Sequence, residues 1–131
     1  MATIASPTLT LTPFTEGGQQ KVKIEVKYNV TFTANEVALQ TDGFKFQEVI
    51  QVLGVDAPNP VDQVLVSNIL PTQDITIPGA GVAVSRMRTA KALRKELQED
   101  ATTGDADEIR CSIQIIPVAA SAFTNTVSLA G

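Results

Sequence analysis

The segment KVKIEVKYNVTFT, residues 21–33, carries the clearest periodic pattern in the sequence. Its apolar and aromatic residues alternate with charged and polar ones, and the apolar set is Val22, Ile24, Val26, Tyr28, Val30 and Phe32. Strict alternation is typical of a β-strand with one buried and one solvent-exposed face. At about 3.3 Å per residue the strand would span roughly 43 Å, which is long for a domain of this size. We therefore expect a bulge, an overhang or pairing outside its own sheet.

Two further segments have the same alternation. Residues 8–12, TLTLT, lie between Pro7 and Pro13, which is typical of an edge strand, and Gly17 and Gly18 predict a turn into the segment 21–33. Residues 108–118 place Ile109, Cys111, Ile113 and Ile115 on one face. We expect this second clear strand to pair with the first, so that the two are the central strands of the fold.

Shorter strands are predicted between these segments. Residues 44–55 have an apolar face that Glu48 interrupts, so we expect a bulge near Glu48 or a misplaced strand boundary. Segments 61–67, 74–77 and 124–129 are weaker strand candidates. Residues 82–100 are predicted to be extended to about Thr89 and then to form a short helical turn from Lys91 to Gln98, because the second half is rich in helix formers.

The predicted fold is mainly β: a single antiparallel β-sandwich domain over residues 1–131. Turn signals recur about every ten residues, which gives seven or eight strands and at most one short helix near residues 91–98. The sandwich is immunoglobulin-like in strand number, but the sequence lacks the two cysteines and the tryptophan of true immunoglobulin domains. A small β-barrel is the alternative, since strand count alone does not separate the two.

Composition limits the classes of partner and compartment. The 131 residues carry a net charge of -4, so we expect no broad attraction to nucleic acid or to an anionic membrane. Cys111 is the only cysteine, which excludes an intramolecular disulfide. The sequence shows no signal peptide and no transmembrane segment. We therefore expect a cytoplasmic protein or one exported without a leader.

The sequence contains no histidine. Catalytic Ser/His/Asp and Cys/His arrangements are thereby excluded, as are zinc and non-haem iron sites that use histidine. A pair of carboxylates could still hydrolyse a glycoside, but the chain has no tryptophan and Tyr28 is predicted to be buried, so a platform for a sugar ring is hard to build. We expect that the protein is not an enzyme and has no cofactor.

Two charged groups are candidate sites. Acidic residues concentrate around Gly104 and could offer oxygen ligands to calcium through Asp100, Asp105, Asp107 and Glu108. Their spacing does not match an EF-hand, and a solvated acidic loop is the favoured interpretation. Basic residues concentrate just before them, at Arg86, Arg88, Lys91 and Arg94. No aromatic residues interleave for base stacking, so a strip that meets the acidic loop of a neighbouring subunit is a better hypothesis than a nucleic-acid site.

The long strand, the Thr-rich edge segments and the lack of catalytic groups favour a structural or assembly module. It is expected to self-associate, or to dock on a larger complex, through its sheet edges. The alternative is a ligand-binding or adhesive β-sandwich that calcium could assist at residues 99–108.

Overall fold

A computed structural model describes residues 2–54, 63–97, 109–119 and 125–129. It confirms the mainly β fold, with two antiparallel sheets that share one hydrophobic core, and the described strands form no closed barrel. The strands are β1 (Thr3–Glu16), β2 (Gln19–Thr31), β3 (Lys45–Gly54), β4 (Gln63–Val66), β5 (Gln73–Ile75), β6 (Ala83–Leu93) and β7 (Ile109–Val118). One α-helix, α1 (Ala34–Thr41), and one 3₁₀ turn (Arg94–Leu97) complete the described elements.

The first sheet has the order β1-β2-β6, so β2 is its central strand, as the alternating pattern predicted. All six apolar residues of the quoted segment are buried against the second sheet. Its unusual length is matched by its neighbours, because β1 pairs with β2 from Thr3 to Glu16 and β6 pairs with it from Ala83 to Leu93.

A bulge in β1 lets both halves of this edge strand bury apolar residues. Ala5 pairs with Asn29 and Thr8 pairs with Lys27, so Ser6 and Pro7 together lie opposite Tyr28. The extra residue shifts the inward face from Ile4 before the bulge to Leu9 and Leu11 after it. Ser6 has a φ of 52°, a left-handed conformation that is uncommon outside glycine.

In the second sheet the central strand is β3. The strand β7 pairs with the whole of β3, while β4 and β5 each pair with a part of it and therefore share its other edge. The predicted pairing of the segment 108–118 with β2 is therefore wrong, and among the described strands β7 lies at an edge rather than at the centre. The reason is that β1 and β6 already occupy both edges of β2.

The α-helix lies outside the predicted region. The short helical turn predicted at residues 91–98 is present as the 3₁₀ turn Arg94–Leu97, although β6 continues to Leu93 before it. The α-helix α1 occupies a segment for which no helix was predicted. The helix begins at a capping box in which Thr33 accepts a hydrogen bond from the backbone of Glu36, and the Glu36 carboxylate accepts one from the backbone of Thr33. The sequence signal for this helix was the T-x-x-E spacing of Thr33 and Glu36. The helix is only eight residues long and has few apolar residues, so no helical periodicity accompanies that signal.

The C-terminal strand predicted at residues 124–129 is not formed in its described part, residues 125–129. Residues 125–129 have no regular secondary structure, and Val127 and Leu129 are 78% and 95% exposed. Within the described ranges, no helix is both long enough and apolar enough to cross a membrane.

Candidate functional site

Glu48 lies in the centre of the core. The register of β3 with β7 is continuous from Lys45 to Gly54, and β5 pairs opposite Glu48 as well, so the predicted bulge is absent. The regular strand therefore directs Glu48 to the same face as Phe46 and Ile50, and its exposed fraction is 0%. A carboxylate in an apolar core is stable only when hydrogen-bond donors and opposite charges surround it.

Three donors from the opposite sheet satisfy this carboxylate. The Tyr28 hydroxyl of β2 donates to Oε2, the Arg88 Nη1 of β6 donates to Oε1, and the Arg86 Nε donates to Oε2 at 3.2 Å. The two arginines are themselves anchored, since Arg88 Nη2 donates to the carbonyl of Pro71 at 2.8 Å and Arg86 Nη2 donates to Gln73 at 3.1 Å. We call Tyr28, Glu48, Arg86 and Arg88 the Glu48 cluster.

The electrostatics of the cluster keep Glu48 ionised. Burial by itself raises the pKa of this carboxyl, but the hydrogen bonds from Arg86, Tyr28 and Arg88 outweigh burial and hold the pKa below its ordinary value. Burial and the adjacent carboxylate both raise the pKa of the Tyr28 phenol, so the tyrosine remains a donor. One carboxylate and two guanidinium groups give the cluster a net charge of +1, and the side chain of Arg86 is 22% exposed at its rim.

The cluster joins the two sheets rather than presenting a reactive group. Glu48 comes from β3, and its three donors come from β2 and β6. Because all three donors are already directed at the carboxylate, Glu48 is poorly placed to accept a proton from a substrate. The geometry therefore fits a fixed polar contact that sets how the sheets face each other.

The four basic residues predicted as one interaction strip are divided between the two faces of β6 and the turn after it. Arg86 and Arg88 point inward to Glu48, because residues two apart share a face of a strand. Lys91 points outward, 3.2 Å from the Glu16 carboxylate and 5.5 Å from the centre of the Phe14 ring. Arg94 lines a surface depression with Leu93 and Lys95. The structure thus forms no single basic strip from these four, and their role in binding stays a prediction.

The acidic candidates for calcium, Asp100, Asp105, Asp107 and Glu108, lie outside the described residues. Within the described part of the chain, no three aspartate, glutamate or cysteine side chains converge as metal ligands do.

A groove opens where the outer edges of the two sheets meet. Its volume is about 200 Å³, and it lies between β1 and β7. Its lining is mainly apolar but includes the polar residues Thr8 and Arg110, and the other lining residues are Pro7, Leu9, Val26, Ile109, Cys111 and Ile113. We call it the β1–β7 groove. Burial raises the pKa of the Cys111 thiol to about 11, so this cysteine is a weak nucleophile at neutral pH.

Sequence reasoning identified the arginines as charged but missed the cluster that they form. The available signal was the single acidic residue on the apolar face of residues 44–55, together with two arginines spaced two apart in a segment predicted to be extended. An acid on one buried face and bases on another predict a buried ion pair only if the two faces oppose each other, and that depends on the pairing of the sheets.

Replacing Glu48 should be far more damaging than replacing a surface glutamate. We expect Glu48→Gln to lower the free energy of unfolding by about 3–5 kcal/mol, because it leaves the buried guanidinium groups without their anion. The matched control is Glu25→Gln on the exposed face of β2, where Lys23 and Lys27 are the ion-pair partners, and the expected loss there is about 1 kcal/mol or less. Arg88→Met should cost about 1–3 kcal/mol, since Arg86 still balances Glu48. Urea unfolding of the four proteins measures these differences, and equal losses for Glu48→Gln and Glu25→Gln would contradict the role of the cluster.

The same carboxylate should make stability depend on pH. Its pKa is lower in the folded protein than the value of about 4.3 expected for an unfolded chain, so near that pH the unfolded chain binds more protons. The stabilisation is complete above the unfolded value and is lost as pH falls through the folded value. Urea titrations from neutral pH to strongly acidic pH should show that the difference in free energy of unfolding between wild type and Glu48→Gln becomes smaller as the pH falls. A difference that stays constant over this range is inconsistent with an ionised Glu48.

Known proteins provide no further guide to the function. No protein-family model, no curated protein and no solved structure matches this chain. Its function is therefore inferred from its own strands, contacts and charges.

Proposed function

We propose that the protein is a non-enzymatic structural or assembly module that associates with copies of itself, or docks on a larger complex, through the edges of its sheets. One observation carries the proposal: β1, β6 and β7 are 14, 11 and 10 residues long, and each has one edge without a strand partner among the described residues. Strands in globular proteins usually have about five or six residues, and natural edge strands tend to be shorter still.

The three long edges differ in how well they are protected against pairing. The β1 edge carries Pro7 and Pro13 and a bulge, all of which hinder the addition of another strand. The β6 edge has no proline and no break in register, and the β7 edge has a proline only near its end, at Pro117. The edges of β6 and β7 are therefore the ones best suited to association.

Charges that point inward from an edge strand usually oppose the addition of a partner strand, and β6 has two of them. Here Arg86 and Arg88 are engaged by Glu48, so they do not have to reach solvent through the edge. Both β6 and β7 also expose a large apolar side chain, Met87 at 59% and Ile116 at 38%. These features favour the binding of a partner protein at the edges of β6 and β7 over their exposure to solvent.

The Glu48 cluster supports the proposal by fixing the edges in place before any partner binds. It connects β2 and β6 to β3, and β3 in turn carries β7 along its whole length. A preformed edge loses less conformational entropy on association than a flexible one.

The strand order supports a finer proposal, that the sandwich is immunoglobulin-like. Immunoglobulin domains place their first, second and fifth strands, A, B and E, in one sheet and pair C with F in the other. Here β1, β2 and β6 form one sheet and β3 pairs with β7 in the other. The likeness holds if β4 and β5, which follow β3 and share its free edge, together take the place of the C′ strand.

Absolute mass in solution tests the proposal. We expect size-exclusion chromatography with light scattering, run from micromolar to millimolar concentration, to give a mass above the 13.9 kDa of one chain, and to give it with or without calcium. If the mass were that of one chain at every concentration, self-association would be ruled out. A mass that rises only with calcium would instead support the alternative, a calcium-assisted binding module that uses residues 99–108.

A further inference from the structure

We propose that residues 125–129 of one copy add as a β-strand beside β7 of a second copy, with the side chains of Val127 and Leu129 in the β1–β7 groove. This inference rests on the proposed function and names the segment and the edge through which the copies associate. The ligand of the groove is thus an extended apolar peptide supplied by the chain itself.

The groove has the chemistry and the size for two aliphatic side chains. Its walls include Leu9 of β1, Val26 of β2 and Ile113 of β7, and its volume is about 200 Å³. Ligand pockets for drug-sized molecules are about 300–1,000 Å³, so this groove is too small for most of them. Leu9, Ile109, Cys111 and Ile113 all face the core but are only half-buried, so a further strand could complete their burial.

The free edge of β7 borders the groove. β7 pairs with β3 on one side, and on the other side the described residues offer no strand. A strand added there gains backbone hydrogen bonds along β7 while every second side chain points into the groove. Proteins that bind an extended peptide at a sheet edge work in this way: backbone hydrogen bonds provide affinity, and pockets for alternate side chains provide specificity.

Residues 125–129 have the matching pattern. Val127 and Leu129 are two residues apart and alternate with Thr126 and Ser128, so in a β-strand they share one face. Both apolar side chains are exposed, and the segment forms no strand. In the single chain, a segment with the pattern of a β-strand thus leaves its two apolar side chains exposed.

A second copy is the occupant that the structure favours. In a single chain, Val127 and Leu129 are exposed rather than seated in the groove, and the described residues leave the groove open. Because each chain carries both the donor segment and the acceptor groove, two copies can exchange their segments in a closed pair, or successive copies can link into a ring or a filament.

Charge substitutions in the segment test which face enters the groove. The double variant Val127→Lys with Leu129→Lys should lower the affinity between copies by about tenfold or more, because two ammonium groups would have to enter a mainly apolar groove that Arg110 also lines. The matched control, Thr126→Lys with Ser128→Lys, adds the same charge on the opposite face and should keep the mass of the wild type. All four positions are exposed, so neither variant should disturb the fold. Light scattering reads the mass of each protein.

A cross-link through the only cysteine tests where the segment goes. One chain carries Cys111→Ser and Leu129→Cys together with a mass tag, and it is mixed with untagged wild type, in which Cys111 lines the groove. After treatment with an added thiol oxidant, we expect a disulfide-linked tagged–untagged pair. The control replaces Leu129→Cys with Ser128→Cys and should cross-link much less.

The outcomes separate this inference from the proposed function. A wild type that is monomeric at every concentration overturns both the inference and self-association, and leaves only docking on a larger complex from the proposed function. An oligomer that is indifferent to Val127→Lys with Leu129→Lys, or that cross-links equally from positions 128 and 129, overturns only the inference and leaves association through another edge. A chain with Cys111 intact and Leu129→Cys that forms its disulfide within one copy also overturns the inference, because the segment then fills its own groove.

Discussion

The buried charge of Glu48 is the constraint on which the rest of the structure depends. A carboxylate that is 0% exposed in an apolar core is stable only if its donors are held in place, and those donors come from the sheet opposite. The alignment that is formed brings Tyr28, Arg86 and Arg88 onto Glu48. An alignment that moved these donors away would leave the carboxylate buried without partners, so the Glu48 cluster disfavours it.

That alignment also decides where the free edges lie. With β2 and β3 facing each other at the centre of their sheets, β1 and β7 come together on one side and leave an apolar groove between them. The bulge opposite Tyr28 belongs to the same arrangement, since it returns the apolar residues of β1 to the core. Long edges, an open groove and a rigid centre are properties of a module that associates with other proteins, which is the basis of the function proposed above.

Much of the fold could be predicted from local pattern. The alternation at residues 21–33 located β2 and its buried face, and the two glycines located the hairpin, where Gly17 and Gly18 have φ values of 60° and 77° that other residues rarely adopt. Sheet partners could not be predicted in the same way, because β7 has a similar alternation whether it pairs with β2 or with β3. Glu48 was misinterpreted for the same reason: a charge on an apolar face resembles a bulge until its partners on the other sheet are known.

The most direct test of this account is amide hydrogen exchange, followed by mass spectrometry, at a dilute and at a concentrated condition. We expect the amides of β2 and β3 to exchange slowly at both, because these strands are paired on both edges and held by Glu48. In β7, the amides that face β3 should be protected at both concentrations, whereas its outward-facing amides and the amides of residues 125–129 should become protected only at the higher concentration. Exchange that is identical at the two concentrations in every strand would contradict association through the sheet edges.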